Sequence, residues 1–171
     1  MSGLKLTDLQ GKSRDEQFAI AARYAGVSPS VFNGIWATES QRGDPRFMRS
    51  TAGARGHFGL MPRTQATWER RLGHPINPDD FTQGLLASAL TLKENMGRFG
   101  NVEDALRAYN GGWDRNRWNN PETRAYVGKV LGTRLVDTPR PRLERGTRST
   151  EATPFEEIAG VSDLSFDEVR G

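Results

Sequence analysis

Between Asp80 and Phe99 the apolar residues Phe81, Leu85, Ala89, Leu92, Met96 and Phe99 recur at every third or fourth position. Only a helix gathers that spacing onto one face, so the pattern predicts the longest helix of the chain and the scaffold for its neighbours. Helix punctuation repeats on both sides of it. Ser13-Arg14-Asp15-Glu16 is a capping box opening a helix whose Phe18, Ala21, Ala22 and Ala25 share a face until Gly26. Ser28-Pro29 starts a second helix, which Gly43 and Asp44-Pro45 end. Thr64 to Leu72 is a short helix closed by Gly73. Asn101 opens another through Val102, Ala105, Leu106 and Tyr109 to Gly111-Gly112, and Asn120-Pro121 opens a last one to Leu131. Asp44 to Pro62 has little periodicity and reads as a long loop or a short irregular hairpin. No stretch alternates with a strand period. The expectation is a mainly α domain over residues 13–132, after a flexible lead-in over residues 1–12.

With 171 residues, the chain has room for one domain with a real core. No apolar run approaches a membrane span, and MSGLKLTDLQGK lacks the apolar core of a secretory signal. The absence of cysteine excludes disulfides, thiolate metal sites and a cysteine nucleophile, while His57 and His74 are too few for a metal centre. Neither metal nor cofactor is expected. The formal charge of +3 is unevenly placed: residues 133–171 hold six Arg against eight acids, leaving the first 132 residues with +5. A basic domain suits an anionic polymer, nucleic acid or cell-wall peptidoglycan, or simply carries a solvated mixed surface. The stretch TPRPRLERGTRSTEATP is linker-like. Phe155, Ile158, Val161, Leu164 and Phe166, set among acids, read either as a weak partner-binding segment or as the start of a further domain.

The second helix carries the most informative side chain. Phe32, Ile35, Trp36 and Glu39 fall at i, i+3, i+4 and i+7, so a carboxylate ends an apolar stripe. Partial burial there raises a carboxyl pKa toward what a general acid needs near neutral pH. The alternative is a surface Glu at a frayed helix end.

Three motifs then fall at or beside predicted helix ends: Glu39-Ser40, GARGHFGLMPRT from Gly53 to Thr64, and Ala108-Tyr109-Asn110 before a Gly pair. With PETRAYVGKVL from Pro121 to Leu131, they resemble the soluble lytic transglycosylase (SLT) family over roughly residues 14 to 132. The resemblance implies a goose-type, lysozyme-like helical domain acting on peptidoglycan glycan strands. It implies Glu39 as the catalytic acid, and Ser50, Gly59, Met61, Tyr109, Asn110, Glu122 and Tyr126 as substrate-binding positions. One position departs from the family pattern G-A-x-G-x-[FM]-Q-[IFL]-M-P-x-T: Gly59 stands where the Gln belongs. A competing register, with Pro62 at the Gln position, loses the M-P-x-T match. The missing amide predicts weaker or altered glycan binding with the acid still in place.

In that family one Glu protonates the glycosidic oxygen, then takes a proton from the C6 hydroxyl of the same N-acetylmuramic acid (MurNAc), closing a 1,6-anhydro ring. No second carboxylate is required, and Asp44 reads first as turn chemistry. Met61 is open to a reading as core filler. Trp68 reads as core, while Trp113 and Trp118, in a polar loop, are open to packing or sugar stacking. A domain of this kind without an export signal resembles the front end of tailed-phage ejection proteins. It would travel in the virion with other virion proteins and act on the host periplasm or cell wall. Rival readings are a hydrolytic muramidase of the same fold, a non-catalytic peptidoglycan-binding module, and a basic nucleic-acid binder. The last lacks a recognition helix with clustered Arg or Lys, so no nucleic-acid specificity is expected.

Overall fold

A computed structural model describes residues 3–133. Seven α-helices follow in order: α1 (Leu6–Leu9), α2 (Arg14–Ala25), α3 (Pro29–Ser40), α4 (Pro62–Leu72), α5 (Phe81–Phe99), α6 (Val102–Gly111) and α7 (Pro121–Gly132). Pro45–Phe47 and Arg115–Asn119 are 3₁₀ turns. No strand forms among the described residues. The loop before α4 carries only isolated bridges, Arg49 with Arg55 and Arg55 with Leu60. The mainly α expectation holds.

The caps explain the boundaries. Ser13 Oγ accepts the Glu16 N–H and Glu16 returns a carboxylate to the Ser13 N–H, satisfying two donors that the first turn of α2 leaves free. Asp80, Asn101 and Asn120 each accept one N–H, from Gln83, Asp104 and Thr123, at the starts of α5, α6 and α7. Pro62 lies at the start of α4, two residues earlier than expected, where its missing N–H costs nothing.

From Gly84 to Leu90 every residue of α5 is buried, so this helix is wrapped on all sides, as befits a scaffold. It packs on α1, α2 and α6; α2 packs on α3, α3 on α7, and α7 on α6. Leu85, Leu86, Leu92, Phe32, Ile35, Leu106 and Val130 have essentially no solvent exposure and form the centre of the core. Burying each of these side chains stabilises the fold by roughly 1.5–3 kcal/mol before chain entropy is counted.

The N-terminal segment is a correction. Residues 3–12 are not a lead-in: Leu9 is fully buried, Leu4 nearly so, and the Lys5 N–H donates to Asp8 Oδ2 at 2.8 Å to start α1. Two leucines docked on α2 and α5 hold a helix too short to stand alone. Apart from Thr133, the expected linker and tail lie outside the described residues.

Candidate active site

The site begins at the last turn of α3. Ser40 is fully buried, its hydroxyl donating to the His57 carbonyl at 2.9 Å and accepting the Gly43 N–H at 2.9 Å. One turn earlier, Trp36 Nε1 donates to His57 Nδ1 at 3.1 Å. An accepting Nδ1 makes this imidazole neutral, and burial lowers its pKa in keeping with that. Phe18, Phe58 and Phe81 surround the pair, Trp36 and Phe81 meeting edge-to-face at 5.2 Å. The end of α3 and the glycine-rich loop are therefore clamped together, which brings Gly59 beside Glu39.

Glu39 is half-buried at the penultimate position of α3. Tyr126 Oη, on α7, donates to Glu39 Oε2 at 2.8 Å. The other carboxylate oxygen lies against Gly59, whose backbone is left-handed at φ 66°. A β-carbon at residue 59 would overlap Oε1 and stand only 3.0 Å from Glu39 Cγ. The space that a side chain at this position would claim is thus taken by the glutamate itself. Burial pushes the Glu39 carboxyl up from its ordinary 4.5 to about 7; the Tyr126 bond opposes this, and the negative charge of Glu122 adds to it.

Tyr109, on α6, forms the adjoining wall. Its hydroxyl donates to the Phe58 carbonyl at 2.8 Å and shares a hydroxyl pair with Ser88 of α5 at 2.8 Å. Its ring stacks on Tyr126, centroids 6.4 Å apart and planes 14° from parallel. Burial raises both phenols well above their ordinary range, so they remain neutral donors beside the acid. Gly59, Leu60, Met61, Thr64, Thr91 and Tyr109 line a crevice of about 30 Å³ next to them.

A half-buried, raised carboxyl thus sits at a helix end, held by a tyrosine from a later helix, and residues 16–129 match the family described as transglycosylase SLT domain. The chain belongs to that family. Its fold is accordingly lysozyme-like. This chain is 39% identical over 113 residues to a protein of Enterobacteria phage PRD1 named transglycosylase. That alignment covers 66% of this chain and 39% of the phage protein, so the chain spans well under half of that relative.

Within the SLT domain, Glu39, Gly59, Tyr109 and Tyr126 converge. Met61 is 41% exposed at the crevice, which rules out core filler, and Glu122 is exposed on α7 and reaches Glu39 through its charge. Two of the expected substrate positions also make bonds within the protein. Ser50 Oγ is exposed and accepts the Ala54 N–H at 2.9 Å, closing its own turn. Asn110 Oδ1 accepts the Thr123 hydroxyl at 2.6 Å, joining α6 to α7. Asp44 is the turn residue it was read as: hydrogen bonds from Arg46 lower its carboxyl to about 2. Trp68 and Trp118 are buried, Trp118 donating to the Gly112 carbonyl at 2.8 Å, whereas Trp113 is exposed. Sequence reasoning missed Ser88 and the Phe58 carbonyl. Ser88 interrupts an otherwise apolar run, Leu85 to Leu90, and that lone hydroxyl is the signal that could have found it.

Proposed function

We propose that this SLT domain is a peptidoglycan lytic transglycosylase that cleaves the β-1,4 bond from MurNAc to N-acetylglucosamine, with Glu39 as the single acid and base. The observation that carries the reading is the Glu39 carboxyl, raised to about 7 and bonded through one oxygen to Tyr126. Near neutral pH a good fraction of it is protonated, as an acid must be, and the rest is ionised, as a base must be.

In the first step the Glu39 proton passes to the glycosidic oxygen as the bond from that oxygen to C1 breaks, leaving an oxocarbenium-like centre and a carboxylate. The Tyr126 hydrogen bond favours that carboxylate as it forms. Glu39 then accepts the C6 hydroxyl proton of the same sugar while O6 bonds to C1. The product is a 1,6-anhydro ring, the acid is regenerated, and water is neither consumed nor released. Asp44 is occupied with Arg46 in a turn, which supports a reading in which one carboxylate serves as acid and base. We place the protein in a phage virion, among other virion proteins, opening the host wall locally during genome ejection. The phage relative and the basic domain support that setting.

The test is digestion of purified sacculi with the parent protein and with Glu39→Gln, reading the muropeptide ends by mass spectrometry. Anhydro ends that vanish in the variant are expected, with a rate loss on the order of 10²–10⁴. Reducing ends would establish a hydrolase instead, and binding without release would leave a wall-docking module. The rate should decline as pH rises through about 7, where Glu39 loses its proton.

A further inference from the structure

Trp113 combines exposure with rigidity. Phe47, Met61, Trp113 and Leu131 are the large apolar residues exposed among the described ones, and Trp113 leaves 45% of its surface in solvent. Its indole N–H donates to Asn95 Oδ1 at 2.8 Å. Asn95 is almost completely buried on α5, and its amide nitrogen donates to the Ala105 carbonyl of α6 at 3.2 Å. Burying an amide is costly unless its hydrogen bonds are made, and here one of them goes to an exposed ring. The Arg98 guanidinium lies over that ring, 4.1 Å from its centroid, while nearly half of the residue stays exposed.

The tether also places Trp113 relative to the acid. Ser88, Thr91 and Asn95 fall at i, i+3 and i+7, one stripe of α5. Each holds the polar tip of an aromatic residue: Ser88 holds Tyr109, Thr91 holds Trp68 at 2.9 Å, and Asn95 holds Trp113. Thr91 lines the crevice beside Gly59 and Tyr109, and Asn95 is one helical turn further along. From Ser88 to Asn95 the rise is about 10 Å, a span on the scale of a disaccharide.

We propose that Trp113 is a sugar-stacking platform, an outer glycan subsite lying along α5 from the Glu39 centre. The inference rests on the transglycosylase reading for its ligand class, a glycan strand of several sugars. A ring locked at its edge and on one face loses little freedom when a pyranose covers the other, so most of the contact appears as affinity.

The experiment titrates soluble peptide-free glycan oligomers of graded length into the full chain carrying Glu39→Gln, which binds without cleaving, and into the same chain with Trp113→Ala or Trp113→Phe. Trp113→Ala should weaken long oligomers roughly five- to tenfold, the size of one aromatic contact, and leave disaccharides unaffected. Trp113→Phe, which keeps a ring but loses the tether, should fall between. In the cleaving protein Trp113→Ala should raise KM for long strands. A loss equal at every length would make Trp113 merely structural, and no loss at any length would likewise overturn the platform. If the parent binds and cleaves no glycan, the transglycosylase reading itself fails and the platform falls with it.

Discussion

The seam between α3 and α7 and the seam between α5 and α6 both border the site, but they position their side chains by different means. Where α3 meets α7, the backbones themselves touch: a β-carbon on Gly34 would overlap the Val130 carbonyl. That approach sets Glu39 and Tyr126 at hydrogen-bond distance. Where α5 meets α6, side chains do the work: Ser88 pairs with the Tyr109 hydroxyl and Asn95 donates to the Ala105 carbonyl. The first seam tunes the acid, and the second builds the walls. Damage to one should change the chemistry, and damage to the other should loosen the cleft while leaving the acid's titration alone.

The largest effect expected is on stability. The Glu39 pKa is about 7 when folded and near its ordinary 4.5 when unfolded. Both states are protonated below about 4.5, so nothing is lost there. As pH rises to 7 the folded state retains a proton that the unfolded state releases, and folding is progressively penalised, by up to about 3 kcal/mol. Glu39→Gln removes the penalty, so urea unfolding should show a gain of that order at pH 8 and none at pH 4. A gain equal at both would show that the buried charge is not its origin.

Next is Gly59→Ala. A methyl group would displace the carboxylate, and a left-handed φ resists any β-carbon. With Glu39 as the proposed acid, a displacement of about 1 Å should cost on the order of a hundredfold in kcat. Circular dichroism should stay unchanged, and an unchanged kcat would refute the cradle.

The two tyrosines give the finest contrast. Tyr126→Phe deletes a bond that favours the ionised acid, so the alkaline limb of the rate profile should move upward by about one pH unit, given ~1.5 kcal/mol for a hydrogen bond to a charged group. Tyr109→Phe should lower stability by about 1 kcal/mol and leave that limb in place. A limb shifted equally by both would erase the distinction between the seams.

Much of this was legible because helices announce themselves locally. Caps at Ser13, Ser28, Asn101 and Asn120, with apolar residues every three or four positions, located four helices without knowledge of their partners. Glu39 was legible for the same reason, as a carboxylate at the end of a stripe. What stayed hidden depends on contacts distant in sequence. α1 is one turn long and offers no period to read, and only docking of Leu4 and Leu9 reveals it. Ser40 looks like an ordinary terminal serine until His57 is brought to it. Gly59 read as a missing side chain because spacing cannot show that the neighbouring acid fills the gap. Asn110 and Ser50 matched motifs, and their internal bonds, to Thr123 and to the Ala54 N–H, were not legible from those motifs.

The contact between Gly34 and Val130 carries a consequence for how this domain tolerates variation. Apolar side chains in the core trade volume with their neighbours, so many combinations can fill the same interior. A distance set by a backbone atom has no such freedom. In a library that randomised the interior, leucines and phenylalanines would exchange broadly while position 34 returned glycine in nearly every active clone.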